Sequence, residues 1–285
     1  MSANATPGST PIALTARQQL ALATIVAMLL FGLLVVVESL LDRPSVAPQL
    51  TFIGTDDALS VLVEGVGGGR VLIGGGPNGA DLPAALGRHF VPWRRDLDLL
   101  IVADRRDLPG ATELVRRGLV RAVLLVGLEE ERAAATALVL LRDACVARGV
   151  SVRASAEPER VTIGRAGALT LDIVPALAVD NDAQVRVQVA TLRATIVTGT
   201  AVSSPSSTVI LLRAAADPYR AALSAAPQLV VAPALPAASV STTVSVDSRF
   251  LLVAPGQRAT LSVTDRGVSL RGATLTSLDT AGVSR

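Results

Sequence analysis

FIGTDDALSVLVEGVGGGRVLIGGGP, Phe52 to Pro77, is the stretch from which the fold class can be read. Two runs of Val, Leu and Ile, Leu59–Val63 and Arg70–Ile73, flank the glycine-dense Gly65–Gly69, the composition of two antiparallel strands around a turn. A second glycine cluster, Gly74–Gly76, follows directly. A phosphate-cradling loop would continue into a lysine or a GxGxxG pattern, but PNGAD comes next, so the cluster reads as a structural turn.

Working outward, the pattern predicts a helix over Asp81–His89, a strand over Leu97–Val102 and a helix over Ala111–Arg117. A strand over Ala122–Val126 and a long helix over Glu129–Arg148 follow, the rhythm of an α/β unit. After a strand at Val150–Arg153 helices become scarce. Strands are expected at Val161–Ile163, Ala168–Val174, Val185–Val189, Ala194–Thr198 and Thr208–Leu212. Then come a helix at Pro218–Ala225 and strands at Gln228–Ala232, Arg249–Val253, Ala259–Val263 and Gly267–Arg271. The whole reads as one sandwich with a helix-rich and a helix-poor half, without an internal repeat.

Upstream, Gln18–Val37 runs twenty residues without a charge, about 30 Å as a helix, one hydrocarbon thickness. It reads as a membrane span rather than a core helix or a cleaved signal peptide, whose apolar core is usually about 7–15 residues long. Arg17 and the free amine precede the span, while Glu38, Asp42 and Arg43 follow it, which favours the N-terminus inside and the domain outside the cytoplasm. The expected organisation is a disordered tail (1–17), a transmembrane helix (18–41), a linker (42–50), one domain (51–272) and a C-terminal tail (273–285).

Composition closes several chemistries. Among 285 residues there are one His (His89), one Cys (Cys145) and no Lys, all 26 basic residues being Arg. Zinc sites assembled from His and Cys, Schiff-base chemistry and a Walker loop are thereby excluded. Half of the chain is hydrophobic and its mean hydropathy is +0.52, so a large core can form. A formal charge of only +2 and six aromatic residues offer little to a nucleic acid.

Each candidate site residue also has a plainer role. The pairs Arg94-Arg95, Arg105-Arg106 and Arg116-Arg117 could form an anion groove, yet Asp96, Asp98, Asp104 and Asp107 interleave with them, as on a solvated face. No nucleophile-elbow sequence supports a hydrolytic triad around His89. Cys145 falls in an apolar helix and reads as a buried small hydrophobe. Asp180-Asn181-Asp182 lacks the spacing of a calcium loop and reads as a polar turn.

The order of segments from about residue 52 to 271 resembles the metallo-β-lactamase fold, and in particular the C-terminal hydrolase-like domain of the ComEC competence proteins. Phe52–Pro77 is similar to that family's DVGQGDA strand, glycine turn and VLIDGG strand, with Asp57-Ala58 kept and Gly74 in place of the aspartate. DLDLLIVADRRDLPGA, Asp96 to Ala111, resembles the strand and loop that reads HxHxDH in active members, with Asp104, Arg105, Arg106 and Asp107 in that loop. Asp180–Thr200 resembles paired strands ending in TGD, with Thr200 in place of the aspartate. Thr208–Pro233 resembles the strand, HHGS loop and helix, with Ala214 and Ala215 among the residues that replace the histidine pair.

The resemblance implies an αββα sandwich preceded by one transmembrane helix, and a domain lacking the metal ligands. Asp104, Arg105, Arg106, Asp107, Thr200, Ala214 and Ala215 would be the degenerate former metal-site positions, with Arg105 and Arg106 able to hold an anion. The expectation is a pseudoenzyme without cofactor, single-pass in the cell membrane, engaged with a protein partner, with nucleic-acid contact weak or absent. The alternatives are a metal-independent hydrolase or anion-binding module, and an accessory role in DNA uptake.

Overall fold

The computed structural model describes residues 16–41, 48–55, 58–65, 68–90, 96–128, 135–163, 169–174, 184–189, 192–197, 208–213, 229–233, 249–264 and 267–271. The chain divides into two units, Met1–Arg43 and Pro44–Arg285.

The first unit holds helix α1, Ala16–Leu41, of 26 residues. It starts two residues before the expected span and ends where expected. Ile25, Met28, Leu29, Phe31 and Leu34 are exposed on it, as is every side chain from Ala23 to Val37. Among the described residues no helix is long and apolar enough to cross a membrane. The helix expected over residues 18–41 is observed as α1.

The second unit begins β1 (Gln49–Gly54), β2 (Leu59–Glu64), β3 (Arg70–Ile73), α2 (Asp81–His89), β4 (Leu99–Val102), a 3₁₀ turn (Arg105–Asp107), α3 (Leu108–Arg116), β5 (Ala122–Val126), α4 (Ala135–Arg148) and β6 (Ser151–Ser155). It continues with β7 (Glu159–Ile163), β8 (Leu169–Val174), β9 (Gln184–Val189), β10 (Leu192–Val197), β11 (Thr208–Leu211), β12 (Leu229–Pro233), β13 (Arg249–Val253), β14 (Arg258–Thr264) and β15 (Gly267–Arg271).

These strands form two mixed sheets. One has the order β15-β14-β1-β2-β3-β4-β5-β6, the other β13-β12-β11-β10-β9-β8-β7. In the first, β3 to β6 run parallel and the rest antiparallel. In the second, β10 to β13 run parallel.

Side-chain alternation explains the layering. Val61, Val71, Ile73, Ile101 and Leu124 from the first sheet share one core with Leu171, Ile173, Ile196, Ile210 and Val231 from the second. The opposite face of the first sheet, including Leu62, Leu72, Leu100 and Leu125, packs under Leu86 of α2, Leu114 of α3 and Leu141 of α4. Strands β4 and β5 are buried on both faces, which is why LLIV and AVLLV read as unbroken apolar runs. β8, LTLDIV, alternates because only one of its faces meets the core.

One strand was not foreseen, and one helix starts earlier than expected. The expected hairpin is observed as β2 and β3, antiparallel across the Gly65–Gly69 turn, and a further strand precedes it, β1, which pairs with β2 throughout and with β14 on its other side; the short alternating pattern of β1, between Pro48 and the Asp56-Asp57 pair, carried no strong strand signal. α3 begins at Leu108 instead of Ala111, since Pro109 falls in the first turn, where its missing N–H costs nothing. α4 is described from Ala135 rather than Glu129, residues 129–134 lying outside the described set. The expected helix Pro218–Ala225 also lies outside it, so the described layers are helix, sheet and sheet.

Candidate functional site

The carboxyl ends of β3 and β4 lie at one edge of the first sheet, because the two strands are parallel neighbours. In α/β sheets this edge is where sites are commonly built. β2 runs the other way and brings its start to the same edge. The end of β11 joins it: Leu59 N donates to Leu212 O at 2.8 Å, and Ala58 bridges Arg213. The two sheets are therefore stitched together where Gly74–Gly76, the Asp104–Asp107 turn and Arg213 meet.

Arg213 is the centre of this cluster. Its Nε donates to Asp104 Oδ2 at 3.0 Å and its Nη2 to Asp107 Oδ1 at 2.9 Å. The Arg213 side chain is 6% exposed, that of Asp107 4% and that of Asp104 18%. Asp104 also caps the 3₁₀ turn, its Oδ1 accepting from Arg106 N at 2.8 Å, and Asp107 Oδ1 accepts from Gly76 N at 3.1 Å. Burial pushes the Asp107 carboxyl up to about 6; Arg213 pulls it down and neighbouring Asp104 raises it again. One guanidinium charge is shared by two carboxylates, so the more deeply buried one is not fully compensated.

The glycines are dictated by close approach. Gly74 sits at φ +85°, and a Cβ there would lie 3.5 Å from Asp107 Oδ2 and 3.7 Å from Ser60 Oγ. Both oxygens are buried without a hydrogen-bond partner among the described residues. A side-chain carboxyl at position 74 would have to be accommodated against Asp107. Gly75 packs its backbone on Asp107 O, and Gly110 of α3 packs on Gly75 O. The Gly74–Gly76 cluster is therefore a turn that seats α3, as its sequence indicated.

Arg105 and Arg106, named from the sequence as the positive charge of this cleft, are exposed; the arginine that reaches both carboxylates is Arg213. Sequence reasoning missed it. Its signal was slight, a lone arginine closing the apolar strand TVILL. Thr200, Ala214, Ala215, Arg94, Arg95, Asp57 and Asp180–Asp182 lie outside the described residues. Among the described residues no three His, Cys, Asp or Glu side chains gather as a metal site requires. Arg117 pairs with Glu113 in α3, and Arg121 pairs with both Asp96 and Asp98, as on a solvated face. His89 pairs with Glu64, and Cys145 is buried in α4.

Compared with known proteins, the chain matches no protein-family model and no curated protein.

Proposed function

We propose that the chain is a membrane-anchored, catalytically inactive domain of metallo-β-lactamase-like, ComEC-like architecture, acting as an interaction or structural subunit of a membrane assembly. The observation that carries this reading is the burial of Arg213 between Asp104 and Asp107, at the strand ends where such a fold would hold its ions. A two-metal hydrolase uses its ions to generate hydroxide and to stabilise the leaving oxygen. A fixed guanidinium there supplies the positive charge but can neither activate a water nor exchange ligands, since it has no accessible basic form. Gly74, Asp107 and Arg213 fit one another as a set, so the cleft is filled by a strut that ties sheet to sheet.

The anchor is supported by the 26-residue backbone of α1 together with the uncharged run Gln18–Val37. The domain is assigned to the extracytoplasmic side on the flanking charges.

Elemental analysis of the purified full chain tests the central claim, with no stoichiometric zinc, manganese or iron expected. Two equivalents of tightly held metal, or chelator-sensitive hydrolysis of a phosphodiester or a lactam, would overturn it. Protease added to intact spheroplasts should remove the domain. Co-purification from mild-detergent membranes identifies the partner. Oligonucleotide binding measured by fluorescence anisotropy should be no tighter than the non-specific range of about 10⁻⁴–10⁻⁶ M at physiological salt.

A further inference from the structure

A cleft of about 240 Å³ opens between α2 and the turn that leads into β14, away from the Arg213 cluster, and is lined by Ile53, Ala85, Arg88, His89, Gln257 and Arg258, with Gly256 at its rim. No acidic side chain is among its lining residues. Arg70, Arg117, Arg121, Arg153, Arg160 and Arg213 all pair with carboxylates. Arg88 and Arg258 are exposed, and neither has such a pair among the described residues. The end of a helix attracts cations, which accounts for Arg88 in the last turn of α2. It does not account for Arg258, which arrives from a different element and faces the same small space.

A carboxylate that reaches the lining residue His89, that of Glu64, is already engaged with Arg70. Glu64 accepts from Arg70 Nε at 3.1 Å, and its other oxygen lies 3.1 Å from His89 Nε2. Arg70 in turn lies over the Phe90 ring at 4.6 Å, and the His89 ring meets Phe90 edge-on. The end of α2 is thus pinned to the β2–β3 hairpin through His89 and Phe90. Two guanidinium groups beside one apolar wall make a site for a doubly charged oxyanion such as a phosphate that carries a small organic body. The volume is below the roughly 300 Å³ at which drug-sized pockets begin, so the ligand is metabolite-sized.

We infer that this cleft binds a small phosphate monoester, with its phosphate between Arg88 and Arg258 and its organic part against Ile53 and Ala85. The inference does not depend on the reading of the Arg213 cluster. The test is isothermal titration of the full chain in non-ionic detergent with inorganic phosphate, ribose phosphate and glycerol phosphate, the last being the headgroup fragment of a phospholipid. Saturable binding of an ester is expected, weakened about tenfold by Arg88→Ala or Arg258→Ala and about a hundredfold by both. Stronger binding of ribose phosphate assigns the site to free sugar phosphates, and stronger binding of glycerol phosphate to a lipid headgroup; either supports the inference. Both arginines are exposed, so these variants should melt with the natural chain, and Arg105→Ala with Arg106→Ala should leave the affinity unchanged. Absence of saturable binding by both esters, whether or not inorganic phosphate binds, would overturn the inference, as would affinity that survives the Arg88, Arg258 double substitution or falls equally in the Arg105, Arg106 pair.

Discussion

At the scale of single residues, the Arg213 cluster makes opposite demands on charge and on pH. Replacing Arg213 by Met keeps the volume but leaves Asp107 and Asp104 facing each other without a cation, and about 3–5 kcal/mol of stability should be lost. Adding Asp104→Asn and Asp107→Asn should restore most of it, because a neutral cluster needs no counter-charge; urea unfolding of the single and triple variants checks both outcomes. The Asp107 carboxyl titrates near 6 in the fold against about 3.9 in an unfolded chain. The fold thus prefers its protonated form. Its contribution to stability is fully present below the unfolded value and is lost as pH rises through about 6, worth about 3 kcal/mol. Glu64 works the other way. Burial by itself raises its carboxyl, but the hydrogen bond and charge of His89, with Arg70, outweigh burial and hold it below the usual range. Its contribution is present above the ordinary carboxylate value and fades as pH falls through the folded one. Asp107→Asn should therefore remove a rise in melting temperature between about pH 7 and 4, and Glu64→Gln should remove a fall below about pH 4.5. Asp104 and Asp107 were legible in the sequence because a charged loop after an apolar strand stands out. Arg213 was not, because it joins them from more than a hundred residues away, and closure of one sheet on the other, invisible to local pattern, decides that pairing.

At the scale of elements, the seating of α3 sets where Asp107 sits. A Cβ at Gly110 would lie 1.8 Å from Gly75 O and 2.7 Å from Gly76 O, and neither carbonyl can move without opening the turn that donates to Asp107. Gly110→Ala should cost about 2–3 kcal/mol by overpacking. Gly87, inside α2, has nothing within 4 Å of the corresponding position, so Gly87→Ala should stabilise by about 0.5–1 kcal/mol. Thermal melts of the two variants should move in opposite directions; a shared direction would place the effect in helix propensity rather than in contact. The buried parallel strands were legible because burial on both faces forces continuous apolar runs. β1 was missed because six residues of mixed polarity say little until β2 and β14 are beside them. The start of α3 was placed late because Leu108 and Pro109 look like loop until the 3₁₀ turn leads into them.

At the scale of the molecule, one outer strand of each sheet, β6 in the first and β7 in the second, discourages pairing with another copy. β6 and β7 carry alternating exposed positions, and Arg153 grips both oxygens of Glu159 across the corner where the chain passes from one sheet to the other. Charged edge strands of this kind resist edge-to-edge addition. These two outer strands carry charge, whereas α1 carries an exposed apolar surface. Ile25, Met28, Leu29, Leu30, Phe31, Leu33 and Leu34 are each more than half exposed on it, an apolar surface that water does not tolerate without a covering phase. A bilayer covering predicts that the full chain stays in the membrane pellet through high salt and alkaline carbonate and is released by non-ionic detergent. Residues 44–285 expressed alone should remain in the supernatant. Arg at both Leu29 and Leu33 should shift the full chain toward the soluble fraction, since each buried charge near a helix centre costs about 2.5–3.5 kcal/mol on insertion. Two paired acidic substitutions on the exposed face of α4, at Val139 and Val146, serve as the comparison, because they add charge without touching α1 and should leave the pellet unchanged. A full chain that is soluble and of uniform size without detergent would mean that α1 is covered by protein instead, either a second copy or a partner, and the anchoring reading would fall.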